Sequence, residues 1–274
     1  MSEMTATYPI RTATPESVRP FLAPAMTAFG EELTDVEFEE WNHLLEPDRL
    51  IAAFDGEAAI GTAGAYTFSM TVPGGEVAAA GVTVVGVEPG HRRQGVLRSL
   101  MRHQVDDVRE RGEPLAILWA SESVIYQRFG YGLGTLSGSF EIERGRTAWL
   151  RSWEPEGRVR LVDASEALAT FPPVYERMRA VPPGALSRTE AWWRWGVLHD
   201  AEHMRHGAGP KFRYLYEVDG AAEGYAIYRP KGEWDDRGPK GQVLVIEAVA
   251  GTPRAERAVW GFLFGIDLMR TTKA

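Results

Sequence analysis

The amino-acid sequence predicts an α/β (α+β) fold built on a mixed sheet, and it predicts that this arrangement occurs twice. The first observation is a β-branched run at residues 81–87, followed by a Pro-Gly turn and an amphipathic helix. The second is the alternation of strand, helix and strand around this stretch. The third is a similar order of helices, hairpin, strand and long helix in the C-terminal half. We therefore expect two related domains in tandem.

The composition limits the class of protein. The 274 residues, with 44% apolar and 25% charged content, suit one large or two ordinary globular domains. The sequence contains no cysteine, which excludes disulfides, thiolate metal sites and a cysteine nucleophile. A net charge of −8 argues against nucleic acid as a partner and suits a cationic small molecule. No apolar run approaches about 18 residues and no secretory signal is recognised, so we expect a cytoplasmic protein without membrane contact.

The first domain is expected over residues 1–145. A helix is predicted over residues 14–29, with Thr14 as its cap and Pro15 at its first position. The remaining predicted elements are a hairpin of residues 50–54 and 57–68 turned at Asp55-Gly56, a turn at 73–75, a strand at 76–87, a helix from Val96, and a strand at 114–120.

The second domain is expected over residues 155–274, after a linker at 153–157. Its predicted helices cover residues 173–181, 187–198 and 253–269, the last capped by Thr252. Its predicted strands cover residues 159–162, 212–218, 224–228 and 243–249. Since no strand is predicted after the last helix, we expect this domain to be incomplete and the chain to be a fragment of a longer one.

An anion site is predicted between the strand at 76–87 and the helix that follows it. The free N–H groups at the start of a helix attract anions. Cations are disfavoured there by the helix dipole, so Arg92 and Arg93 indicate an anion to be neutralised. Gly95 allows a phosphate to approach the backbone closely. The alternative is a solvated basic face beside the helix.

Residues 92–97 (RRQGVL) resemble the acyl-CoA pyrophosphate loop of GNAT acetyltransferases, with Leu97 in place of the usual small residue. Residues 91–98 (HRRQGVLR), 120–132 (ASESVIYQRFGYG) and 255–270 are similar to the Eis (enhanced intracellular survival) branch of that family. The resemblance implies tandem GNAT-like domains, of which the second is degenerate and does not bind CoA. It also implies a sterol-carrier-like third domain, absent from these residues, and a homo-oligomer that is hexameric at full length.

The resemblance further implies that acetyl-CoA is the co-substrate. In such a fold the strand at 76–87 splays from its neighbour, so the backbone of Val85 and Val87 is free to pair with the pantetheine amides. The alternative is that Val85 and Val87 are merely core residues of the strand. The Ser121 hydroxyl, at the end of the next strand, is a weaker candidate. The residues expected to bind the donor are Val85, Gly86, Val87, Arg92, Arg93, Gln94, Gly95, Val96, Leu97, Arg98 and Ser121.

Tyr126 is the expected catalytic acid. A phenol with a reference pKa of about 10 is protonated at neutral pH and can protonate a leaving thiolate. Tyr126 matches the general-acid tyrosine of the GNAT family. Tyr131 competes for this role, although the glycines on either side of it indicate a turn. Either ring could instead be a core aromatic.

The acceptor is expected to be a polycationic amine, such as an aminoglycoside or a polyamine. Phe29, Glu31 and Trp41 align with the aromatic and acidic positions that hold such amines in the Eis branch. The alternative for the neighbouring acidic residues is a solvated helix face; these are Glu32, Asp35, Glu37, Glu39 and Glu40.

Other candidates receive no catalytic role. In the Eis branch the carboxylate at the end of the third domain takes part, so Ala274 does not inherit it and the base stays open. Three tryptophans (Trp192, Trp193 and Trp195) are expected in the second core or between domains. Three histidines (His199, His203 and His206) have helical spacing, but no carboxylates accompany them, so no metal is expected. Two functions remain: an acetyl-CoA-dependent N-acetyltransferase, and a non-catalytic acyl-CoA-binding or assembly module.

Overall fold

The computed structural model describes residues 8–151, 153–154 and 156–274. The chain divides into two compact units. One holds the described residues up to Gly134 together with Leu186–Ala191, and the other holds Thr135–Ala185 and Trp192–Ala274. Pro155, in the expected linker, and the start of the first expected domain lie outside the described residues. Among the helices that are described, none is both long and apolar enough to cross a membrane.

The first unit is a five-stranded mixed sheet with helices on both faces. Its strands run in the order β1-β2-β3-β4-β5, and only the β4–β5 pair is parallel. The strands are β1 (Ile10–Thr12), β2 (Ile51–Asp55), β3 (Ala58–Val72), β4 (Gly75–Val87) and β5 (Leu115–Leu118). The helices are α1 (Val18–Phe29), α2 (Asp35–Asn42), α3 (Val96–Glu110) and α4 (Ser123–Tyr126).

Strand β2 shows why both faces are covered. Successive side chains of a strand point to opposite faces. Ala52 and Phe54 pack with α1 in one apolar cluster, and Ile51 and Ala53 pack with α3 in another. The continuous apolar run of β2 is therefore the expected pattern of a strand buried on both sides.

The local predictions for this unit are confirmed except at the first helix. The hairpin turned at Asp55-Gly56 and the helix that begins at Val96 are both present. Helix α1 begins at Val18, and Thr14 does not cap it. Instead the Thr14 carbonyl accepts a hydrogen bond from the Ser17 N–H at 2.9 Å, which closes a turn before the helix.

The second unit repeats the plan with a six-stranded sheet in the order β6-β13-β12-β9-β8-β7. Only β12 and β13 are parallel, as only β4 and β5 are in the first unit. The strands of this sheet are β6 (Glu141–Glu143), β7 (Arg158–Val162), β8 (Phe212–Val218), β9 (Ala221–Lys231), β12 (Gly241–Ala250) and β13 (Met269–Lys273). Two short strands, β10 (Trp234–Asp235) and β11 (Gly238–Pro239), pair with each other in a separate two-stranded sheet. The helices are α5 (Ala164–Arg179) and α6 (Pro253–Phe264), with a π-helix at Trp192–Leu198.

Helices again cover both faces of this sheet. Tyr225 and Ile227 of β9 pack with α5, and Tyr228, next along the strand, packs with α6. Trp193 of the π-helix is 2% exposed and lies 5.5 Å from the Tyr175 ring, centroid to centroid. This confirms the expected core role for that tryptophan.

Three expectations for the second unit are wrong. A strand does follow the long helix, because α6 ends at Phe264 and β13 then pairs in parallel with β12. Helix α5 begins at Ala164 and runs through two prolines, since Phe171 and Val174 are buried on its inner face and their packing outweighs the cost of proline. Strand β6, which falls before residue 145, pairs with β13 in the second sheet.

Candidate active site

The parallel pair β4–β5 opens into a gap toward the end of β4. The last residues in register are Val82 and Leu118, because β5 ends at Leu118 while β4 continues to Val87. On its other side β4 remains paired with β3 as far as Val87. The backbone of Val85, Gly86 and Val87 therefore borders the gap, where the resemblance to GNAT enzymes implied that β4 splays from its neighbour.

A β-bulge marks the point where the gap begins. The register between β3 and β4 shifts between Thr62 and Gly64, and Val84 has a φ of +46°. A β-branched residue rarely adopts positive φ, so the surrounding packing must hold Val84 in place. Its side chain is buried in the cluster that α1 forms with β2. The strand is thereby re-aimed just where β5 ends.

The loop between β4 and α3 places two arginines beside the start of the helix. Arg93 and Gly95 both have left-handed backbones, with φ of +64° and +90°. This conformation turns the chain into α3, whose first hydrogen bond runs from the Ser99 N–H to the Gly95 carbonyl at 3.0 Å. The N–H groups before Ser99 point out of the helix start. Arg92 and Arg93 are exposed beside them.

Gln94 has a role in the loop that its sequence motif did not reveal. Its side-chain amide donates to the Gly90 carbonyl at 3.1 Å, and its Oε1 accepts from the Tyr8 hydroxyl at 2.6 Å. The Tyr8 ring also meets His91 edge-on at 6.1 Å. The side chain of Gln94 thus braces the loop, and Tyr8 is a supporting residue that sequence reasoning missed.

A groove runs beside helix α3, next to this loop. Its volume is about 360 Å³, and its floor includes Met101 and Phe129. Three guanidinium groups line it, from Arg98 and Arg102 of α3 and from Arg128 after α4. Sequence reasoning named only Arg98. The spacing of Arg98 and Arg102 by four residues on one helix face was the available signal.

Tyr126 lies at the end of α4 and is half-buried. Burial, reinforced by the Glu122 carboxylate, raises the pKa of Tyr126 above its usual range. The ring of Tyr131 stands edge-on to it, with centroids 5.9 Å apart. Burial raises the pKa of Tyr131 to about 12. Its hydroxyl is buried with no hydrogen-bond partner among the residues that the structure describes.

Ser121 lies in a bend beyond the end of β5, and its side chain is exposed. Between this serine and the strand, Trp119 is 86% exposed. Ser121 therefore lies three residues beyond the end of β5, the strand that borders the gap, and does not belong to that strand.

The expected acceptor residues lie along the turn from α1 into α2. Gly30 ends α1 in the left-handed conformation, and the Glu31 N–H returns to the Met26 carbonyl at 2.9 Å. Phe29 is 49% exposed and Glu31 is exposed beside it. These side chains are open to solvent, as a binding surface requires.

Two of the acidic residues in this segment have structural roles. Asp35 forms an ion pair with Arg19 at 2.5 Å. Glu37 forms a capping box with Thr34, whose hydroxyl accepts from the Glu37 N–H at 3.2 Å. For Asp35 and Glu37, these contacts favour the interpretation as an ordinary helix surface.

Trp41 is held from two sides. Its indole packs against the apolar cluster of α1 and β2. Its Nε1–H donates to the Tyr66 hydroxyl at 2.9 Å. Tyr66 was not identified from the sequence, although glycines inside its own strand and the next one (Gly64 and Gly81) signal a close approach there.

In the second unit, the start of α6 corresponds to the start of α3, but it is capped by a side chain of its own segment. The Thr252 hydroxyl accepts from the Ala255 N–H at 3.1 Å, and Pro253 supplies no N–H at the first position. Two acidic side chains, Glu223 and Glu256, lie at this end. No group of three or more His, Asp or Glu that could hold a metal is found in the part of the chain that the structure describes.

The two units match known domain families. Residues 9–134 match a family described as an acetyltransferase (GNAT) domain, and residues 184–274 match a second family with the same description. The sheet-and-helix plan found twice in the structure agrees with these two matches.

Relatives of known sequence and structure extend the likeness. An uncharacterized N-acetyltransferase of Streptomyces avermitilis is 45% identical over 237 residues, covering 85% of this chain and 57% of that protein. N-acetyltransferase Eis of Mycobacterium tuberculosis is 34% identical over 255 residues, covering 89% of this chain and 60% of that protein. The crystal structure of Eis1 from Mycobacterium abscessus gives a TM-score of 0.79 at 32% identity, covering 97% of this chain and 65% of that one. The chain thus spans less than two thirds of these relatives.

Proposed function

Because the chain belongs to the Eis-type branch of the GNAT acetyltransferases, we propose that it moves an acetyl group from acetyl-CoA to an amine of a polycationic acceptor. The observation that carries the proposal is the gap between β4 and β5, which opens beside the arginine-bearing start of α3. One end offers unpaired backbone and the other offers an anion site. A thioester with a diphosphate in its carrier needs both.

The donor would lie along the gap. Its diphosphate would sit on the N–H groups at the start of α3, where Arg92 and Arg93 neutralise its charge. The pantetheine amides would pair with the backbone of Val85 and Val87. The groove of Arg98, Arg102 and Arg128 suits the remaining phosphate and the adenine base, because it combines guanidinium groups with an apolar floor.

The reaction needs one proton donor from the protein. The neutral amine attacks the thioester carbonyl carbon, and the new C–N bond replaces the C–S bond. The departing thiolate takes the proton of the Tyr126 hydroxyl, and the acetylated nitrogen loses its extra proton to water or to a base that we do not assign. A phenol is protonated at neutral pH, and burial raises the pKa of Tyr126 further.

The acceptor would enter from the side of α2. Glu31 offers a carboxylate, and Phe29 and Trp41 offer aromatic faces, a combination that attracts several ammonium groups at once. Asp35 and Glu37 are already engaged within the fold and are not included.

The second domain would bind no CoA, since Thr252 caps the start of its long helix and Pro253 supplies no N–H there. Its role would be structural. We also propose that the protein acts in the cytoplasm as a homo-oligomer, with the hexamer belonging to the full-length chain.

The alternative is an acyl-CoA-binding module without chemistry. Thiol release from acetyl-CoA, measured at steady state with a panel of polyamines and aminoglycosides, separates the two. We expect acceptor-dependent release that is lost in Tyr126→Phe. Tight binding of acetyl-CoA in calorimetry with no release above the buffer rate would support the binding module.

A further inference from the structure

We propose that Tyr66 is a positioning residue for the acceptor, because it links Trp41 to the strand along which the donor lies. The inference rests on the proposed function and adds a residue to it. The Tyr66 hydroxyl accepts a hydrogen bond from Trp41 Nε1 at 2.9 Å. Thr83 lies near it on the neighbouring strand β4.

The register of the sheet brings these groups together. Tyr66 on β3 lies opposite Gly81 on β4, and Gly64 lies opposite Thr83. Tyr66 and Thr83 are therefore diagonal neighbours on one face, within reach of a long side chain.

A second ring occupies the space that one of these glycines leaves. A Cβ built on Gly81 would stand 2.4 Å from the ring of Phe68. The Phe68 and Tyr66 centroids are 6.0 Å apart. The phenol is thus confined by Phe68 as well as by its hydrogen bond to Trp41, and Tyr66 is half-buried.

Thr83 lies at the end of the gap that adjoins the paired part of β4 and β5. The β4–β5 pairing ends at Val82, so Thr83 is the first residue of the unpaired stretch. A pantetheine arm that enters from the loop at residues 92–97 passes Val87 and then Val85. At 3.3 Å per residue it covers about 13 Å from Val87 to Thr83. The thioester end of the donor would therefore lie near Thr83.

Trp41, a proposed acceptor residue, packs beside the same part of β4. Its indole rests on the apolar cluster that also holds Val84, the bulged residue next to Thr83. Packing alone leaves an indole free to tilt, whereas the bond to Tyr66 fixes its plane. The chain Trp41–Tyr66–Thr83 would set the aromatic face for the amine at a fixed distance from the thioester.

Two conservative variants test this. Tyr66→Phe removes the hydroxyl and keeps the ring, and Thr83→Val removes the hydroxyl and keeps the shape. With spermine as acceptor, each should raise the KM for spermine roughly three- to tenfold, the scale of one net hydrogen bond. In Tyr66→Phe, which lies away from the donor, the KM for acetyl-CoA and the Tm should stay near those of the parent. The double variant should match the single ones, since both break one chain.

Tyr8→Phe is the matched control. Its hydroxyl braces Gln94 in the donor loop, so its loss should raise the KM for acetyl-CoA and spare that for spermine. An unchanged KM for spermine in both Tyr66→Phe and Thr83→Val overturns the inference. Equal shifts for both substrates, with a lowered Tm, also overturn it, since they indicate a merely structural role. If Tyr66→Phe does not fold, Thr83→Val alone decides.

Failure of the proposed function would look different. In that case the parent itself would release no thiol with spermine or with any other amine. The inference fails by itself when the parent turns over and the variants keep their affinity for spermine.

Discussion

Gly86 and Ala25 approach so closely that a Cβ built on Gly86 would stand 2.5 Å from the Ala25 Cα. Ala25 is fully buried in α1, and Gly86 borders the gap where the donor would bind. Helix α1 therefore supports β4 through backbone contact. The turn that carries Phe29 and Glu31, which we propose to bind the acceptor, follows directly at the end of the same helix.

Gly86→Ala should lower the stability of the first domain and weaken acetyl-CoA binding together. The atom it meets is backbone, so helix or strand must shift, at a cost of about 1–3 kcal/mol. Urea unfolding and calorimetry measure the two effects. Gly232→Ala is the control, because a Cβ there meets nothing within 4 Å. If Gly86→Ala proves as stable as Gly232→Ala, the close approach is not real.

Replacing both Arg92 and Arg93 by Ala should weaken acetyl-CoA binding by roughly 2–4 kcal/mol, since each charge-assisted bond contributes about 1.5–3 kcal/mol. Calorimetry measures the change, and the loss should shrink at high salt. Arg109→Ala, on the exposed end of α3, should leave the affinity unchanged. An unaltered dissociation constant in the double variant would place the diphosphate elsewhere.

Tyr126→Phe should keep the affinity for acetyl-CoA and lower kcat by roughly 10²-fold or more, the scale of a positioned acid. Thiol-release assays at saturating acetyl-CoA and acceptor give kcat directly. Tyr131→Phe is the comparison, because its ring is the neighbour of Tyr126. A loss confined to Tyr131→Phe would transfer the acid role to that residue.

The pH dependence of kcat is a second test of the role of Tyr126. An acid must be protonated to act, and burial raises the pKa of Tyr126 above its usual range. Any alkaline fall in kcat that this phenol causes should therefore lie above about pH 10. The fall should be absent from the residual activity of Tyr126→Phe. A persisting fall would belong to another group.

Glu31→Gln should raise the KM for a polyamine and leave that for acetyl-CoA unchanged. A carboxylate that meets an ammonium group in a partly desolvated site contributes more than the ~0–1 kcal/mol of an exposed pair. The effect should diminish with ionic strength. Glu110→Gln, at the far end of α3, makes the same charge change away from the site. Equal KM values in both variants at low salt would return Glu31 to the solvated surface.

The parts of the site that depend on local sequence were predictable. The start of α3 at Val96 and the hairpin turn at Asp55-Gly56 follow from turn residues and periodicity, which are local signals. The gap at Val85 was also expected, but through resemblance to a family rather than from spacing.

The parts that depend on tertiary packing were not predictable. Val84 sits at positive φ against the preference of a β-branched residue, because its side chain is buried in the core beside α1. The contact of Trp41 with Tyr66 joins residues 25 positions apart and needs the strand register to be known. Strand β13 was missed because its Thr-rich sequence is polar and its partners, β12 and β6, are distant in the sequence.

In the proposed reaction the acetyl group of acetyl-CoA ends on an amine at this site. This can be followed with acetyl-CoA labelled in the acetyl group, with spermine as acceptor and mass spectrometry of the products. We expect one labelled acetyl group on spermine for each CoA thiol released, and neither product above background in Tyr126→Phe. Thiol release without labelled spermine, or equal labelling by Tyr126→Phe and the parent, would contradict it.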